Sequence, residues 1–427
     1  MKKALKKSLS VSLMITLISG LFLFEAPKAE AVWFDSNFTY CRKMTMTAGG
    51  TSGGVATTTT AGFALVATST ITDLKSSANG GKVLTLDNTT SATSSPLDVI
   101  FTSGTDCNSD GGSLLDFYFE SYASTTGAFA AWIEATDISS TTAKTVLMYY
   151  GKASATDQRD ETGTWGALGE AGVWNLPNGT TLTAYDSTSN NNDGTITGNA
   201  AAIAGQIDGG TDLDGTGDYI NLGSGTSLDI TGAITLSAWT KADSLTNAPR
   251  VIGKSGGGGQ AGWEMTFEPD GSFGMRIAVD GSTHKDAYSA AGVFTTGVWY
   301  YVVGTYVPST SVTLYKDGSQ NAQNTTSIPA SQNDPALNPF IGSSPRGASW
   351  DMNGIIDEVR IFNRALHAMD VKTMYNNTAS SAVFWTFGDE ETETAAADPG
   401  GPISAPTTGK SLRFLGGLRF LGGLRFR

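Results

Sequence analysis

Apolar and polar residues alternate with a period of two along much of this chain, which is the pattern of half-buried β-strands. In the segment 353–366, the alternation places Ile355, Asp357, Val359 and Ile361 on one face. A carboxylate on an apolar face costs roughly several kcal/mol unless a cation or hydrogen-bond donors meet it. Asp357 therefore needs a partner, which the sequence leaves open as a loop amide, an arginine or a metal ion.

The same alternation recurs along the chain and predicts two β-rich regions. Residues 32–165 contain alternating segments separated by stretches of Thr, Ser and Gly, which are typical of turns or long loops. Residues 173–385 add further strands, and Pro-Asp-Gly at 269–271 and Asp-Gly at 317–318 predict two hairpin turns. Many strands at short spacing predict an all-β fold of two β-sandwich domains with these boundaries.

The composition changes near the C-terminal end. A short helix is predicted after Leu366, with His367 as a structural residue at its cap position. Residues 386–427 begin as an acidic, proline-containing linker and end in repeats of Leu-Arg-Phe-Leu-Gly-Gly that carry only positive charge. We expect this basic tail to contact anionic envelope polymers or to add a strand to a neighbouring protein, with a disordered tail as the alternative.

The N-terminal residues have the three parts of an export signal. Residues 1–7 are cationic, residues 9–24 are apolar, and Ala29 and Ala31 frame a small-x-small cleavage site. We therefore predict a signal peptide over residues 1–31 and a secreted or cell-surface protein. A retained signal anchor is the alternative, although the apolar run is short for one. No later segment of the sequence is apolar enough to span a membrane.

Charge and cysteine content narrow the function classes. The 427 residues include 40 acidic and 27 basic side chains, which gives a net charge of −13 at pH 7. A strongly negative surface repels phosphate backbones, so we predict no nucleic-acid partner. The two cysteines, Cys41 and Cys107, lie in the first third of a chain predicted to be exported, and we expect them to form a disulfide bond.

Catalytic groups are scarce in the sequence. The two histidines, His284 and His367, lie outside any nucleophile-elbow sequence, which disfavours a Ser-His-Asp triad. Glycosidases need two facing carboxylates, and no predicted strand shows an alternating pair. No Cys/His cluster indicates zinc, and no glycine-rich loop opens a helix to hold phosphate. We therefore predict that the protein is not an enzyme.

Residues 185–194, Tyr-Asp-Ser-Thr-Ser-Asn-Asn-Asn-Asp-Gly, are rich in side-chain oxygen atoms, which are the hard ligands that calcium prefers. The candidate ligands are Asp186, Asn190 and Asn192. The loop is not an EF-hand, because Asn191 stands at the glycine position and Thr197 at the bidentate glutamate position. The alternative is an Asx-turn loop whose acids only cap the backbone. One calcium ion between this loop and Asp357 would satisfy both features.

Ordered motifs in both regions resemble known families. Residues 33–165, closing in Tyr-Tyr-Gly-Lys-Ala-Ser, resemble a secreted bacterial and archaeal domain of unknown function that commonly precedes laminin-G-like domains. Residues 173–385 resemble the laminin-G-like domain of the concanavalin A-type lectin superfamily. The motifs that carry this second resemblance lie at 186–194, 213–222, 234–241, 314–318 and 354–366. The resemblance implies a two-sheet jelly roll, and calcium held by the asparagine-rich loop with an acid that corresponds to Asp357.

These features predict an exported cell-surface or extracellular protein that binds or adheres through a calcium-stabilised laminin-G-like domain. Its ligand would be a carbohydrate or a surface protein, and Trp350 would either stack on a sugar or plug the edge of the sandwich. Two other classes stay open. A structural component of a surface layer or filament would self-assemble, whereas a polysaccharide-degrading enzyme would release reducing sugar.

Overall fold

The structure is a computed structural model that describes residues 33–50, 53–87, 95–177, 181–256, 261–345 and 350–393. The predicted signal peptide and the predicted basic tail lie outside these residues. β-strands dominate the described residues, which confirms the predicted all-β fold class. No helix in these ranges is long and apolar enough to cross a membrane.

The N-terminal region contains strands β1 to β6 within the described ranges. Their bounds are Tyr40–Met46, Phe63–Thr70, Val99–Thr102, Phe117–Ala123, Ala128–Ala135 and Lys144–Tyr150. Strands β2, β5 and β4 form one antiparallel sheet, and β1, β6 and β3 belong to a second sheet. Apolar side chains from both sheets, including Met44 and Phe117, pack together in one core, so this region is a β-sandwich.

Strands β7 to β21 follow within the described ranges. Their bounds are Glu170–Trp174, Thr195–Thr197, Ala201–Ile207, Gly209–Asp214, Tyr219–Asn221, Ile234–Ser244, Arg250–Gly253, Glu264–Phe267, Phe273–Ala278, His284–Tyr288, Tyr300–Val307, Ser311–Lys316, Ser319–Asn324, Phe340–Ile341 and Asn353–Phe362. Helix α1 spans Glu161–Thr164, α2 spans Ala368–Ala379 and α3 spans Ser381–Phe384. The last described strand, β22, spans Trp385–Thr392.

Two large antiparallel sheets form the second region. One has the strand order β19-β18-β17-β12-β21-β10-β9, with β7 also paired to β21, and the other has the order β16-β15-β14-β13-β20-β11-β8. Apolar residues of both sheets, including Met265 and Tyr306, fill the core between them, which confirms the predicted jelly roll. Asp317 and Gly318 have φ angles of 50° and 69° in the hairpin turn predicted between β18 and β19.

The central strands of the larger jelly-roll sheet, β12, β17 and β21, are buried on both faces. On β17, Val302 packs in the jelly-roll core, whereas Tyr301 packs in the core of the N-terminal region. Trp239 on β12, Phe362 on β21 and Val371 on α2 lie in the same N-terminal core. The described residues of the two predicted domains therefore belong to one compact unit.

Strand β22 corrects the linker prediction for residues 386–392. It pairs antiparallel with β1 and completes the four-stranded sheet β22-β1-β6-β3 of the N-terminal region. Glu390 forms an ion pair with Lys82, and Glu391 Oε1 lies 3.3 Å from Lys43 Nζ. The acidic composition of residues 386–392 suggests a solvated linker. In the structure, Lys43 and Lys82 of the N-terminal region pair with these acids, so the segment can form a strand.

A β-bulge in β21 corrects the predicted orientation of Asp357. The register with β12 shifts between Asp357 and Arg360, where two residues of β21 oppose one residue of β12. Glu358, at this bulge, has a φ of 53°. Because the bulge resets the alternation, Ile356 and Val359 both pack in the jelly-roll core, and Asp357 lies on the opposite face. The prediction that Asp357 shares the core face of Val359 is therefore wrong.

Candidate functional site

The bulge places charged residues of β21 where this strand meets the N-terminal region. The exposed fractions of Asp357, Glu358 and Arg360 are 0%, 1% and 4%. Arg360 Nη2 donates to Glu358 Oε2 at 2.7 Å. The guanidinium carbon of Arg360 lies 4.6 Å from the ring centre of Trp132 and 4.8 Å from that of Trp165. A desolvated cation against two indole rings is strongly held, so this contact fixes β21 against β5.

The acid layer consists of Glu120 on β4 together with Asp357 and Glu358. Glu120 Oε2 accepts a hydrogen bond from Trp132 Nε1 at 2.7 Å. Asp357 Oδ2 accepts from the backbone N–H groups of residues 206–207 at 2.8 and 3.0 Å, so backbone amides at the end of strand β9 are a partner of this carboxyl group. Among the described residues, the second oxygen of each of the three carboxyl groups has no hydrogen-bond partner. A buried carboxyl group that is half satisfied in this way favours its neutral form.

Burial sets the protonation of the acid layer. Burial raises the pKa of Asp357 and of Glu120 well above their ordinary values, and the neighbouring Glu358 carboxylate raises both further. Burial also raises the pKa of Glu358 to about 7, although the guanidinium of Arg360 opposes this shift. The layer therefore carries protons at neutral pH in place of three full negative charges.

A cleft with a volume of about 200 Å³ opens beside the acid layer. It is lined by Tyr118, Phe119, Glu120, Glu161, Asn175, Pro177, Thr183, Tyr185 and Ser187. The first three residues lie on β4, and the last five lie between β7 and β8. Both predicted domains therefore supply walls of the cleft. Tyr185 is 67% exposed, so its ring is accessible on one wall.

Hydrogen bonds position the polar groups of the cleft. Asn175, which is 4% exposed, donates from Nδ2 to Tyr118 Oη, while its Oδ1 has no hydrogen-bond partner among the described residues. Glu161 lies in the first turn of α1, whose N-terminus is capped by the side chain of Asp160. Burial raises the pKa of Glu161, although a hydrogen bond with Ser187 opposes this shift. The cleft thus presents amide, hydroxyl and carboxyl groups beside an exposed aromatic ring.

The predicted calcium ligand Asp186 is buried, and both of its oxygens accept hydrogen bonds from the protein. Oδ1 accepts from the backbone N–H groups of Val173 and Thr188, both at 3.0 Å. Oδ2 accepts from Thr188 Oγ1 at 3.0 Å and from the backbone and side-chain N–H groups of Asn192 at 2.9 and 3.1 Å. These bonds form an Asx-turn loop, which is the alternative that the sequence left open.

The other predicted calcium ligands also have protein partners. Asn190 and Asn192 donate from Nδ2 to the carbonyl oxygen of Ala171 at 3.2 and 2.9 Å. In the part of the chain that the structure describes, no hydrogen bond or ion pair joins the loop to Asp357, and no group of three His, Cys, Asp or Glu side chains is placed to hold a metal ion. The hydrogen bonds of Asp186, Asn190 and Asn192 therefore stabilise the loop itself. Asp357 has its own partners in the backbone N–H groups of residues 206–207. Calcium binding at these residues stays a prediction.

Trp350, the residue predicted to stack on a sugar or plug the sandwich edge, does not line the cleft. The guanidinium carbon of Arg250 lies 5.4 Å from the Trp350 ring centre, and the Trp350 carbonyl oxygen accepts from the Arg250 backbone N–H at 3.0 Å. Arg250 therefore covers one face of this indole. A role of Trp350 in ligand binding stays a prediction.

Cys41 and Cys107 form the predicted disulfide bond, with their Cα atoms 6.0 Å apart. Both cysteines are fully buried in the N-terminal core. The Cys107 carbonyl oxygen accepts a hydrogen bond from Tyr149 Oη at 3.1 Å. The bond joins β1 to the loop after β3 across a sequence separation of 66 residues.

Sequence patterns do not reveal the cleft, because its residues come from segments that are far apart in the chain. On β4, Phe117 and Phe119 pack in the main N-terminal core, and Tyr118 packs in a second cluster on the opposite face. A strand with large rings on both faces must be covered on both sides. The large rings on both faces of β4 therefore indicate that another region packs on this strand. They do not show that Tyr185 and Asn175 belong to that region.

Two family models match this chain and confirm the predicted resemblances. Residues 214–372 match the laminin-G model described as the concanavalin A-like lectin/glucanases superfamily. Residues 96–197 match a model described as a domain of unknown function, DUF2341. This second match extends past residue 165 and includes β7. No curated protein shows a significant sequence match to the chain.

Several solved protein domains are partly similar to this chain in structure. The binding domain of Paraclostridial Mosquitocidal Protein 1 is 14% identical, with a TM-score of 0.41, over 48% of this chain and 52% of that chain. Domain 4 of AbnA, an extracellular arabinanase from Geobacillus stearothermophilus in complex with arabinotriose, is 22% identical, with a TM-score of 0.39, over 48% of this chain and 98% of that chain. The ligand-binding domain of botulinum neurotoxin serotype D, in complex with N-acetylneuraminic acid, is 15% identical, with a TM-score of 0.40, over 48% of this chain and 50% of that chain. The matched part spans about half of each toxin domain.

Proposed function

We propose that this chain, in which a laminin-G-like domain of the concanavalin A-like superfamily follows a domain of unknown function, is an exported carbohydrate-binding protein. Its recognition site is the cleft between β4 and the segment that follows β7. The observation that carries the proposal is the exposed ring of Tyr185 in a cleft that also presents amide, hydroxyl and carboxyl groups. A ligand in this cleft would contact both regions of the chain.

The chemistry of the cleft suits a sugar. A sugar ring offers C–H faces that pack on an aromatic side chain, and hydroxyl groups that both donate and accept hydrogen bonds. Tyr185 supplies the aromatic ring, and Asn175, Ser187 and Glu161 supply polar groups. A concave site with a few convergent polar groups is the usual form of a small-ligand site.

Two features support the extracellular part of the proposal. The disulfide bond between Cys41 and Cys107 is the kind that forms and persists in an oxidising compartment. Residues 1–31 have the sequence pattern of an export signal. A secreted or cell-surface position would bring the cleft into contact with polysaccharides outside the cell.

Hydrolysis of the bound glycan is a second candidate function. Glu120 and Glu161 line the same cleft, and glycosidases use two carboxyl groups that flank the scissile bond. We favour binding because Glu120 is held by Trp132 and its second oxygen is buried away from the cleft opening. Release of reducing sugar by the wild-type protein, lost in the Glu120→Gln variant, would establish hydrolysis instead.

Affinity for polysaccharides tests the proposed function. The mature chain from residue 32 is titrated by calorimetry with a panel of soluble polysaccharides of different composition, in calcium and in chelator. We expect at least one polysaccharide to bind, and Tyr185→Ala to weaken that binding by about tenfold or more. As a control, Met369→Ala removes an apolar side chain that is 53% exposed on α2 and should leave the affinity unchanged. Absence of binding across the panel, or equal losses in both variants, would overturn the proposal.

A further inference from the structure

The lining of the cleft is acidic. Glu161 contributes a carboxyl group, and no lysine, arginine or histidine is among the described residues that line it. Asp186 and Asp193 add negative potential at Glu161. A ligand with a carboxylate or phosphate group would therefore be repelled at this site, whereas a cationic ligand would be attracted.

The cation closest in sequence to Glu161 does not neutralise the cleft. Arg159 Nη2 lies 2.9 Å from Asp87 Oδ2 and 2.6 Å from Asp157 Oδ2, so two carboxylates share its charge. The charge of Arg159 lowers the pKa of Glu161, but burial raises this pKa by more. The cleft therefore keeps its acidic character although an arginine is near.

The floor of the cleft contains an acceptor without a donor. Asn175 is 4% exposed, its Nδ2 donates to Tyr118 Oη, and its Oδ1 has no hydrogen-bond partner among the described residues. Leaving a buried acceptor unpaired is costly, so a ligand that donates hydrogen bonds fits this floor better than one that accepts them.

We propose that the cleft binds a glycan that carries a primary ammonium group, such as a polymer of glucosamine; this inference rests on the proposed carbohydrate-binding function. An ammonium group has three donors and no acceptor, which complements Asn175 Oδ1 and the carboxyl group of Glu161. Its hydrogen bonds to carboxylates are charge-assisted. The exposed ring of Tyr185 attracts the same cation through its face.

N-acetylation of the sugar provides the matched comparison. It replaces the ammonium group with a neutral amide that has one donor and one acceptor, and it leaves the sugar ring and its hydroxyl groups unchanged. The mature protein is titrated by calorimetry with glucosamine and N-acetylglucosamine oligosaccharides of equal length, at a pH where the amino group is charged. We expect the glucosamine oligosaccharide to bind about tenfold more tightly or better.

Two variants with the same change of charge show whether the cleft carries this preference. Glu161→Gln removes a carboxyl group that lines the cleft and should reduce the preference to about threefold or less. Asp243→Asn removes an exposed carboxylate that does not line the cleft and should leave the preference unchanged. Tyr185→Ala should weaken both oligosaccharides.

Three results would overturn the inference. If the N-acetylated oligosaccharide binds equally or more tightly, and Tyr185→Ala still weakens its binding, the preference for an ammonium group is wrong but the proposed carbohydrate-binding function stands. A preference that falls equally in Glu161→Gln and Asp243→Asn would show general attraction of a polycation to an acidic protein. Failure of both oligosaccharides and of the whole polysaccharide panel would overturn the inference and the proposed function together.

Discussion

Arg360 stacks its guanidinium group on the indole of Trp132, with the guanidinium carbon 4.6 Å from the ring centre. Arg360 lies on β21 in the jelly roll and Trp132 lies on β5 in the N-terminal region, so this contact joins two regions that the sequence predicts as separate domains. Both residues are buried, and Arg360 also donates to Glu358. The contact therefore combines a cation–π interaction with an ion pair in a desolvated place.

Replacing Arg360 should destabilise the protein in a pH-dependent way. Arg360→Met leaves Glu358 without its cation, and breaking a buried pair costs about 3–5 kcal/mol. Glu358 has a pKa of about 7, so we expect this loss in the free energy of unfolding at about pH 8. At about pH 5 the loss should be clearly smaller, because a protonated Glu358 needs no counter-charge. Urea unfolding at both pH values measures the two losses.

Arg276 provides a control for Arg360. Its guanidinium carbon lies 5.2 Å from the ring centre of Tyr288, and it forms ion pairs with Glu264 and Glu268, but its side chain is 22% exposed. Arg276→Met should cost less, about 1 kcal/mol. Equal losses for Arg360→Met at the two pH values would contradict the role of the buried ion pair.

The acid layer predicts that stability falls as pH rises. The folded-state pKa of Glu358 is raised from 4.5 to about 7, and those of Asp357 and Glu120 are raised well above their ordinary values. Folded protein thus holds more protons than unfolded protein in this range, so the stability present below pH 4.5 is lost as pH rises through 7 and beyond. Calorimetric melting temperatures at about pH 5 and about pH 8 should show the lower value at pH 8.

Variants that remove an acid test the origin of this pH dependence. Glu120→Gln removes a buried titrating group and should reduce the difference in melting temperature between the two pH values. Glu393→Gln changes an exposed residue after β22 and should leave the difference unchanged. A melting temperature that is equal or higher at about pH 8 in the wild-type protein would contradict the protonation assigned to the layer.

Local signals in the sequence are sufficient for much of the fold. The alternation in β12 and β17 and the Asp-Gly turn before β19 appear where they are predicted, because each depends on neighbours in the chain. The disulfide bond between Cys41 and Cys107 follows from having two cysteines in a chain with an export signal. These features need no knowledge of distant contacts.

The features that the sequence does not predict depend on distant contacts or on an unexpected backbone conformation. A positive φ is uncommon for glutamate, so nothing in the residue type marks Glu358 as the bulge that reorients Asp357. Strand β22 looks like a linker because its composition is acidic, and only its pairing with β1 shows otherwise. The cleft forms where the segment after β7 docks on β4, which is why Tyr185 and Glu120 do not stand out in the sequence.

Loss of the disulfide bond should destabilise the protein. Replacing Cys41 and Cys107 together by alanine releases a loop closed by a bond between residues 66 positions apart, which costs about 4 kcal/mol in the chain-entropy model. Urea unfolding of the double variant and of reduced wild-type protein should show similar losses. A loss below about 1 kcal/mol in both would contradict a structural role for the bond.

Asp186 should stabilise its loop without calcium. Its carboxylate accepts hydrogen bonds from Val173, Thr188 and Asn192, so Asp186→Ala should cost about 2–3 kcal/mol in calcium and in chelator alike. Asn190→Ala, at an exposed position of the same loop, should cost less. Thermal unfolding under both conditions measures the losses. A loss confined to calcium-containing buffer would instead support the predicted calcium site with Asp357.

Hydrogen exchange of the mature protein with and without the tightest-binding glycan tests the central claim most directly. The half-buried stacked pair Tyr219 on β11 and Phe340 on β20, with ring centres 4.4 Å apart, is the competing location for an aromatic sugar site. If the cleft is the binding site, the ligand should slow exchange in Phe117–Ala123 and in residues 181–188, and leave the strands that carry Tyr219 and Phe340 unchanged. Protection confined to those two strands, with the cleft segments unchanged, would contradict the assignment.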